Sequence, residues 1–487
     1  MKKFISPAKS LIILFSLLLI TGNSHSQDLE AGFKNPPEPA KPRTWWHWTN
    51  SNITKEGITK DLEWMSRAGI GGFQLADVAS GQGQTVDKKI VFGTPEWIDA
   101  VRHAAAEADR LKLEMTMFSS PGWSLTGGPW VKPEQAMKKL VWSEISLKGP
   151  QKFKGSLPPV PSNEGPIGNM GRASQPGQKE PNFSREFMIL AFPEPADEID
   201  INTLNPVITS SGGPVTSKEL FDNDLNTSAR IRAGKDKSIV WIQFTFEKPI
   251  EIKAVTMANR AGIPVGAIKA GNDVSDLKTL VNLPGAQLYR SGKVATYSFN
   301  PVLAKNFRIE FTGAPMRPND VMAETTTRPD SVYVFSEINL HTGARINRWE
   351  DKAGFYHLFT YEPVESNAIP ASSAIDPSSI VNLTALLQAD GSIQWDVPKG
   401  NWTIMKFGYS LTGSKNRPAV PAGSGYEVDK LSREHSLSYI KDYTDPVLKA
   451  LGPLYGKSMQ YILLDSWEAG MQNWTDNMIK EFSDRRG

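Results

Sequence analysis

Cysteine is absent from the 487 residues, which excludes disulfide frameworks, thiolate nucleophiles and cysteine zinc sites. A charge excess is missing too: 54 basic residues face 52 acidic ones, for a net charge of +2. That balance argues against a nucleic-acid binder, which carries a basic stripe and a clear positive excess, and against an acidic disordered chain. The six histidines (His25, His47, His103, His341, His357, His435) are scattered, so a histidine metal site is not expected. No Walker loop, HExxH pair or GxSxG elbow occurs. The glycine runs that start a dinucleotide fingerprint at Gly69 and Gly81 carry Gln74 and Val86 where the last glycine belongs.

What is present begins with an address. Lys2, Lys3 and Lys9 precede an apolar run from Leu11 to Ile20, and Ser24-His25-Ser26 supplies small residues at alternate positions. That is the order of a secretory signal peptide over residues 1–26, too short for a confident membrane span of about 20 apolar residues. An uncleaved N-terminal anchor is the competing reading. No other stretch approaches spanning length, so the expectation is a secreted or periplasmic protein, off the membrane after cleavage. Losing three lysines and no acid changes the charge from +2 to −1. Tryptophan is plentiful, with 14 copies, which suggests large cores or aromatic platforms facing sugars.

After a proline-rich linker, residues 27–140 alternate between the two basic periodicities. Residues 43–48, 70–75 and 113–118 read as strands, and 54–68 and 95–111 as helices. Thr54 can cap the first helix, with Ile58, Leu62 and Met65 on one face, and Pro95 stands in the first turn of the second. Such βα units indicate a parallel sheet. From 141 to 425 the chain turns rich in Pro, Gly, Ser and Thr, with β-type runs at 187–191, 240–246, 306–311 and 403–409; this reads as inserted all-β material. Residues 155–181 read as a mobile loop. Residues 201–345 resemble a discoidin-like β-sandwich, through Leu220-Phe-Asp-Asn-Asp224, Trp241-Ile-Gln-Phe244 and Phe335-Ser-Glu-Ile338. The βα rhythm returns over 426–487, with a helix to about Ala450, a fourth strand at 461–464 and a helix over 471–484. The expected fold class is α/β: the first half of a (β/α)8 TIM-type barrel interrupted by the β insertion. An open sheet is the alternative, disfavoured because the strand ends carry aromatic and carboxylate side chains rather than a phosphate loop.

The candidate chemistry lies at those strand ends. Trp45-Trp46-His47-Trp48 could stack on sugar C–H faces and donate to a hydroxyl, or could be a packed aromatic core. Gln74 and Asp77 could bind hydroxyls or cap a turn; Ser119, Ser120 and Trp123 follow the third strand. The sharpest signal is Asp465-Ser-Trp-Glu-Ala-Gly470 after an apolar strand. A carboxyl shielded by an indole there could hold its proton and act as a general acid. Alternatively Asp465 and Glu468 cap and stabilise a helix N-terminus. Glu427, Asp429 and Lys430 could reach a pocket or merely open a helix. Asp222-Asn223-Asp224 could offer calcium ligands or form an Asx-rich turn.

Pro42-Arg-Thr-Trp-Trp-His-Trp48, Gly69-Ile-Gly-Gly-Phe-Gln-Leu-Ala76, Ser119-Ser-Pro-Gly-Trp-Ser124, Tyr426-Glu-Val-Asp-Lys-Leu431 and Asp465-Ser-Trp-Glu-Ala-Gly470 together resemble glycoside hydrolase family 106. The resemblance implies an inverting α-L-rhamnosidase with a (β/α)8 barrel, accessory β-sandwiches, a polysaccharide or oligosaccharide substrate containing rhamnose, and a calcium ion whose ligands here are not assignable. On this carry-over Glu468 is the general acid, and His47, Gln74, Trp123, Asp429 and Asp465 are pocket positions; Trp45, beside His47, is expected to contact substrate as well. Inversion needs a second carboxylate about 6.5–9.5 Å away. In the family that base lies downstream of this motif, so the sequence ending at Gly487 is expected to carry the acid and lack the base. A non-catalytic carbohydrate-binding protein built from the same parts is the alternative.

Overall fold

The computed structural model describes residues 29–81, 83–162, 183–222, 225, 227–233, 239–259, 262–285, 293–312, 332–356 and 364–487. The leader reading, Asn223 and Asp224, and most of the segment 155–181 lie outside the described residues. The chain divides into two compact units, Met1–Phe118 with Asp445–Leu464, and Ser119–Thr444 with Asp465–Gly487.

The first unit contains a parallel sheet of β1 (Arg43–Thr49), β2 (Gly72–Val78), β3 (Glu114–Phe118) and β4 (Met459–Leu463), in that order, with helices α1 (Lys55–Arg67) and α2 (Pro95–Leu111) between the first three strands. The helices form where their ends are chemically specified. Thr54 Oγ1 accepts from Gly57 N at 3.0 Å, Thr94 Oγ1 accepts from Trp97 N at 3.3 Å, and Pro95 fills the first turn. Ile58, Leu62 and Met65 are buried, as their spacing predicts. The sheet stays open among the described residues, with β1 and β4 each paired on one side. Strand β2 starts and ends later than the sequence predicts. Gly72 sits so close to Glu114 O, 2.4 Å from where a Cβ would stand, that only glycine fits the β2–β3 contact. Asp77 therefore falls inside the strand rather than after it.

Strand alternation then decides the aromatic run residue by residue. Trp46 and Trp48 face the helices: Trp46 Nε1 donates to Asp61 Oδ2 of α1 at 3.1 Å, and Trp48 packs edge-on to Trp97 of α2. Asp77, the register partner of Trp48, shares that face and accepts from Trp97 Nε1 at 3.0 Å. Trp45, His47 and Gln74 occupy the opposite face.

The second unit is mostly antiparallel sheet. Seven strands between Val207 and His341 surround an apolar core that includes Phe244, Phe307, Phe311 and Phe335. Four others, Lys138–Ser156, Ser184–Pro193, Val381–Asn382 and Ser392–Leu411, form a second sheet. All four β-type runs noted in the sequence lie in strands. The expected helix over 428–450 spans Arg433–Leu451 instead, because the Asp429 side chain takes the Leu431 N–H at 3.0 Å and turns the chain locally. The last helix is Met478–Arg486 rather than 471–484. Residues 473–474 are held elsewhere: Trp474 bridges to Lys138 and stacks on Phe187 at 4.8 Å, and Asn473 accepts from Leu140 N. No helix among the described residues is long and apolar enough to cross a membrane.

Asp77 gives the first unit a pH dependence. The carboxyl is buried, and among the described residues Oδ1 makes no hydrogen bond and no cation pairs with it. Burial pushes it up to about 7, with the Trp97 N–H pulling the other way. Its folded-state value thus lies above the unfolded value of about 4, so its contribution is intact while it is protonated in both states and is lost as pH climbs through the folded value. The thermal midpoint should therefore fall between about pH 4 and about pH 7. Asp77→Asn stays neutral and should flatten that fall, gaining on the order of 2–4 kcal/mol over wild type at about pH 8. Melts with parallel pH profiles for the two proteins would rule out this role.

Candidate active-site residues

In the first unit, the face opposite the helices presents Trp45, His47 and Gln74. Trp45 is 56% exposed; its ring lies 5.7 Å from that of His47 and edge-on to Phe118 at 6.2 Å. Gln74 stands between Trp45 and Thr116 in register. Burial lowers the His47 value, which favours the neutral imidazole with one donor and one acceptor nitrogen. An open indole, a neutral imidazole and a primary amide together form a surface able to bind an uncharged polyol.

In the second unit the loop after β3 is tied to itself. Ser119 Oγ donates to Leu125 O at 2.7 Å and Ser120 Oγ to Ser124 O at 2.6 Å, so both hydroxyls are spent on shaping the turn. Gly122 and Gly127, at φ +82 and +117, are needed because a Cβ would strike Arg417 O and Asn416. They let protein segments approach each other, not a ligand. Trp123 is half-buried, its backbone N–H bonded to Arg417 O at 3.1 Å.

Asp429, expected in the pocket, is instead wholly buried. Oδ1 accepts from Leu431 N and Gln472 Nε2, and Oδ2 from Thr475 Oγ1 at 2.8 Å and Lys138 Nζ at 3.3 Å. Both oxygens are shared among four donors, and the carboxylate is wholly buried. Lys138, also wholly buried, reaches Asp476 Oδ2 at 3.6 Å, and Asp476 meets His435 Nε2 at 3.1 Å. Burial opposes the charge on Asp476, yet His435, Lys138 and Tyr409 together hold its carboxyl below the usual range. Sequence inspection passed over Asp476 and His435; the available signal was Trp474-Thr-Asp476 so soon after the Asp465–Gly470 motif.

Asp429, His435 and Asp476 have ligand atoms within 4.8 Å of one another. These residues do not fit calcium, which takes six to eight oxygen ligands. The Lys138 ammonium already pairs with both carboxylates, and the third group is an imidazole. Asp222 accepts from Thr227 Oγ1 at 2.6 Å, as in a simple turn.

Asp465 and Glu468 do not open a helix: the next one starts at Met478. They belong to a strand-end loop in which both carboxylates are half-buried and Trp467 is 44% exposed. Trp467 Nε1 donates to Gly470 O at 2.7 Å, Glu468 N donates to Ser466 O at 3.0 Å, and Ser414 Oγ donates to Ala469 O. Nearby, Glu427 is wholly buried, its Oε2 accepting from Thr126 Oγ1 and from Lys430 Nζ at 2.7 Å. Lys430 lies 5.2 Å from the Trp467 ring centroid.

The Lys138 network should be the most sensitive point of this arrangement. Lys138→Met leaves Asp429 buried without its cation, for an expected loss of about 3–5 kcal/mol in urea unfolding. A loss below about 1 kcal/mol would mean the network is dispensable.

The solved rhamnosidase of Novosphingobium sp. PP1Y superposes with a TM-score of 0.76 at 36% identity, covering 94% of this chain and 41% of that one. A protein of Formosa agariphila named "Putative beta-glucuronidase" is 28% identical over 461 residues, covering 94% of this chain and 25% of that protein. The chain thus spans about two-fifths of the first relative and a quarter of the second. The model of glycoside hydrolase family 106, alpha-L-rhamnosidase, matches residues 34–487, and the chain belongs to that family.

Proposed function

We propose that this chain is part of a secreted or periplasmic α-L-rhamnosidase that hydrolyses terminal α-L-rhamnosides of polysaccharides or oligosaccharides with inversion. Glu468 is the general acid. The single observation that carries the reading is the Asp465–Gly470 loop, where a half-buried glutamate stands beside an exposed indole directly after a parallel strand. Ends of such strands are where (β/α)8 enzymes place their catalytic groups, and an open four-stranded sheet in a chain covering 41% of a rhamnosidase suits part of such a barrel. By the family resemblance alone, Trp45, His47 and Gln74 are sugar-contact positions, and Asp465 a further acceptor. The acid protonates the glycosidic oxygen while a second carboxylate activates water on the opposite face of the sugar. Calcium has no step in this scheme.

Full-length protein carrying this sequence should hydrolyse an aryl α-L-rhamnoside and release the inverted anomer first, as followed by NMR. Glu468→Gln should lower kcat by about 100-fold or more on substrates with poor leaving groups. Full activity of that variant would remove Glu468 as the acid. The name of the Formosa relative makes glucuronides the competing substrate class; hydrolysis of an aryl β-D-glucuronide but not the rhamnoside would favour it. Binding without hydrolysis of either would favour a carbohydrate-binding protein.

A further inference from the structure

We propose that Lys430 is a positioning residue for Glu468, acting through the Trp467 indole; this rests on reading Glu468 as the general acid. The loop from Asp465 to Gly470 has neither helical nor strand hydrogen bonds of its own. Its orientation comes from a few anchors. The Lys430 ammonium, its side chain only 7% exposed, lies 5.2 Å from the Trp467 ring centroid. The indole N–H bonds to Gly470 O, and the Ser414 hydroxyl holds Ala469 O. Glu468 is therefore bracketed in sequence by two residues that are each fixed from another segment of the chain.

Stability alone does not account for the Lys430 pair. Lys430 Nζ is fixed by Glu427 Oε2 at 2.7 Å and by Val428 O and Met137 Sδ, both at 3.3 Å. Glu427 Oε1 is buried with no hydrogen bond among the described residues. A buried ion pair with an unsatisfied oxygen adds little to stability and can subtract from it. Burial disfavours the charge on Lys430, while Glu427 and Asp429 oppose that. A desolvated cation, however, holds an indole better than an exposed one does. Glu427 also cancels the ammonium's charge, so the clamp does not add a net positive charge that would strip the proton from a neighbouring acid.

A general acid matters most when the leaving group is a poor one, so the test uses two substrates with the full-length enzyme. Lys430→Met should lower kcat about 10- to 100-fold on an alkyl α-L-rhamnoside and by less than about 3-fold on a dinitrophenyl rhamnoside, with KM little changed. Lys430→Arg, whose guanidinium also stacks on indole, should recover most of the loss. Because Lys430→Met strands Glu427, the neutral pair Glu427→Gln/Lys430→Met is measured alongside, and should show the same substrate dependence with a native near-ultraviolet dichroism. Equal losses on both substrates, a change in KM alone, or no loss would overturn the proposal. If Glu468→Gln discriminates between the substrates and Lys430→Met does not, only the positioning role falls. If Glu468→Gln is fully active, the acid assignment falls and takes the positioning role with it.

Discussion

A lysine with no access to water has to be neutralised where it stands, and in the second unit that requirement falls on Lys138. Its ammonium gathers the carbonyls of Glu134 and Ala136, the carboxylate of Asp429 and, more distantly, that of Asp476. Asp429 in turn takes Gln472 and Thr475. Segments near residues 134, 429 and 475 are thereby joined at one point. None of these groups can be withdrawn without leaving another uncompensated in a medium of low dielectric constant. The chain between Gln472 and Asp476, which follows the Glu468 loop, is pinned by this network rather than by regular secondary structure.

The same logic recurs on a smaller scale at Lys430. Glu427 and Asp429 stand two residues apart and each is wholly buried, yet each is matched to a different lysine, Lys430 and Lys138. Between them Val428 bridges to Ala136, and Ser414 and Asn416 meet the backbone around them. The result is a charge-balanced support beneath the loop that carries Glu468. On the proposed reading of Glu468 as the general acid, such neutral surroundings matter, since an unbalanced cation would favour its ionised form.

The first unit was largely legible because its signals are local. Helix periodicity, threonine caps and Pro95 depend on residues a few positions apart, and the two helices lie within a residue or so of where the pattern puts them. The aromatic run was legible as a run but not in its division, which needed the β1–β2 register to send Trp46 and Trp48 one way and Trp45 and His47 the other. The burial of Asp429 has a non-local cause. Its main partner, Lys138, is 291 positions away, and nothing in Tyr426–Leu431 announces that distance. Trp474 illustrates the same limit: its helical spacing with later residues is overruled by stacking on Phe187 and bridging to Lys138.

The 14 tryptophans separate by what their N–H groups and ring faces do. Trp46 and Trp97 spend the N–H on carboxylates, the exposed Asp61 and the buried Asp77, and their rings pack inside the first unit. Trp48, Trp402 and Trp474 bury the N–H without a hydrogen bond among the described residues, a cost that only a large packed ring offsets. Trp467 combines an N–H already engaged by Gly470 O with an exposed ring. Such an indole cannot rotate to pursue a hydrogen bond with a ligand; it can offer only its face. A sugar presents C–H groups on one side and hydroxyls around its rim, so a fixed face selects which side turns inward. On the proposed reading, the polar contacts then fall to other side chains, and the neighbouring carboxyl is positioned before a sugar arrives.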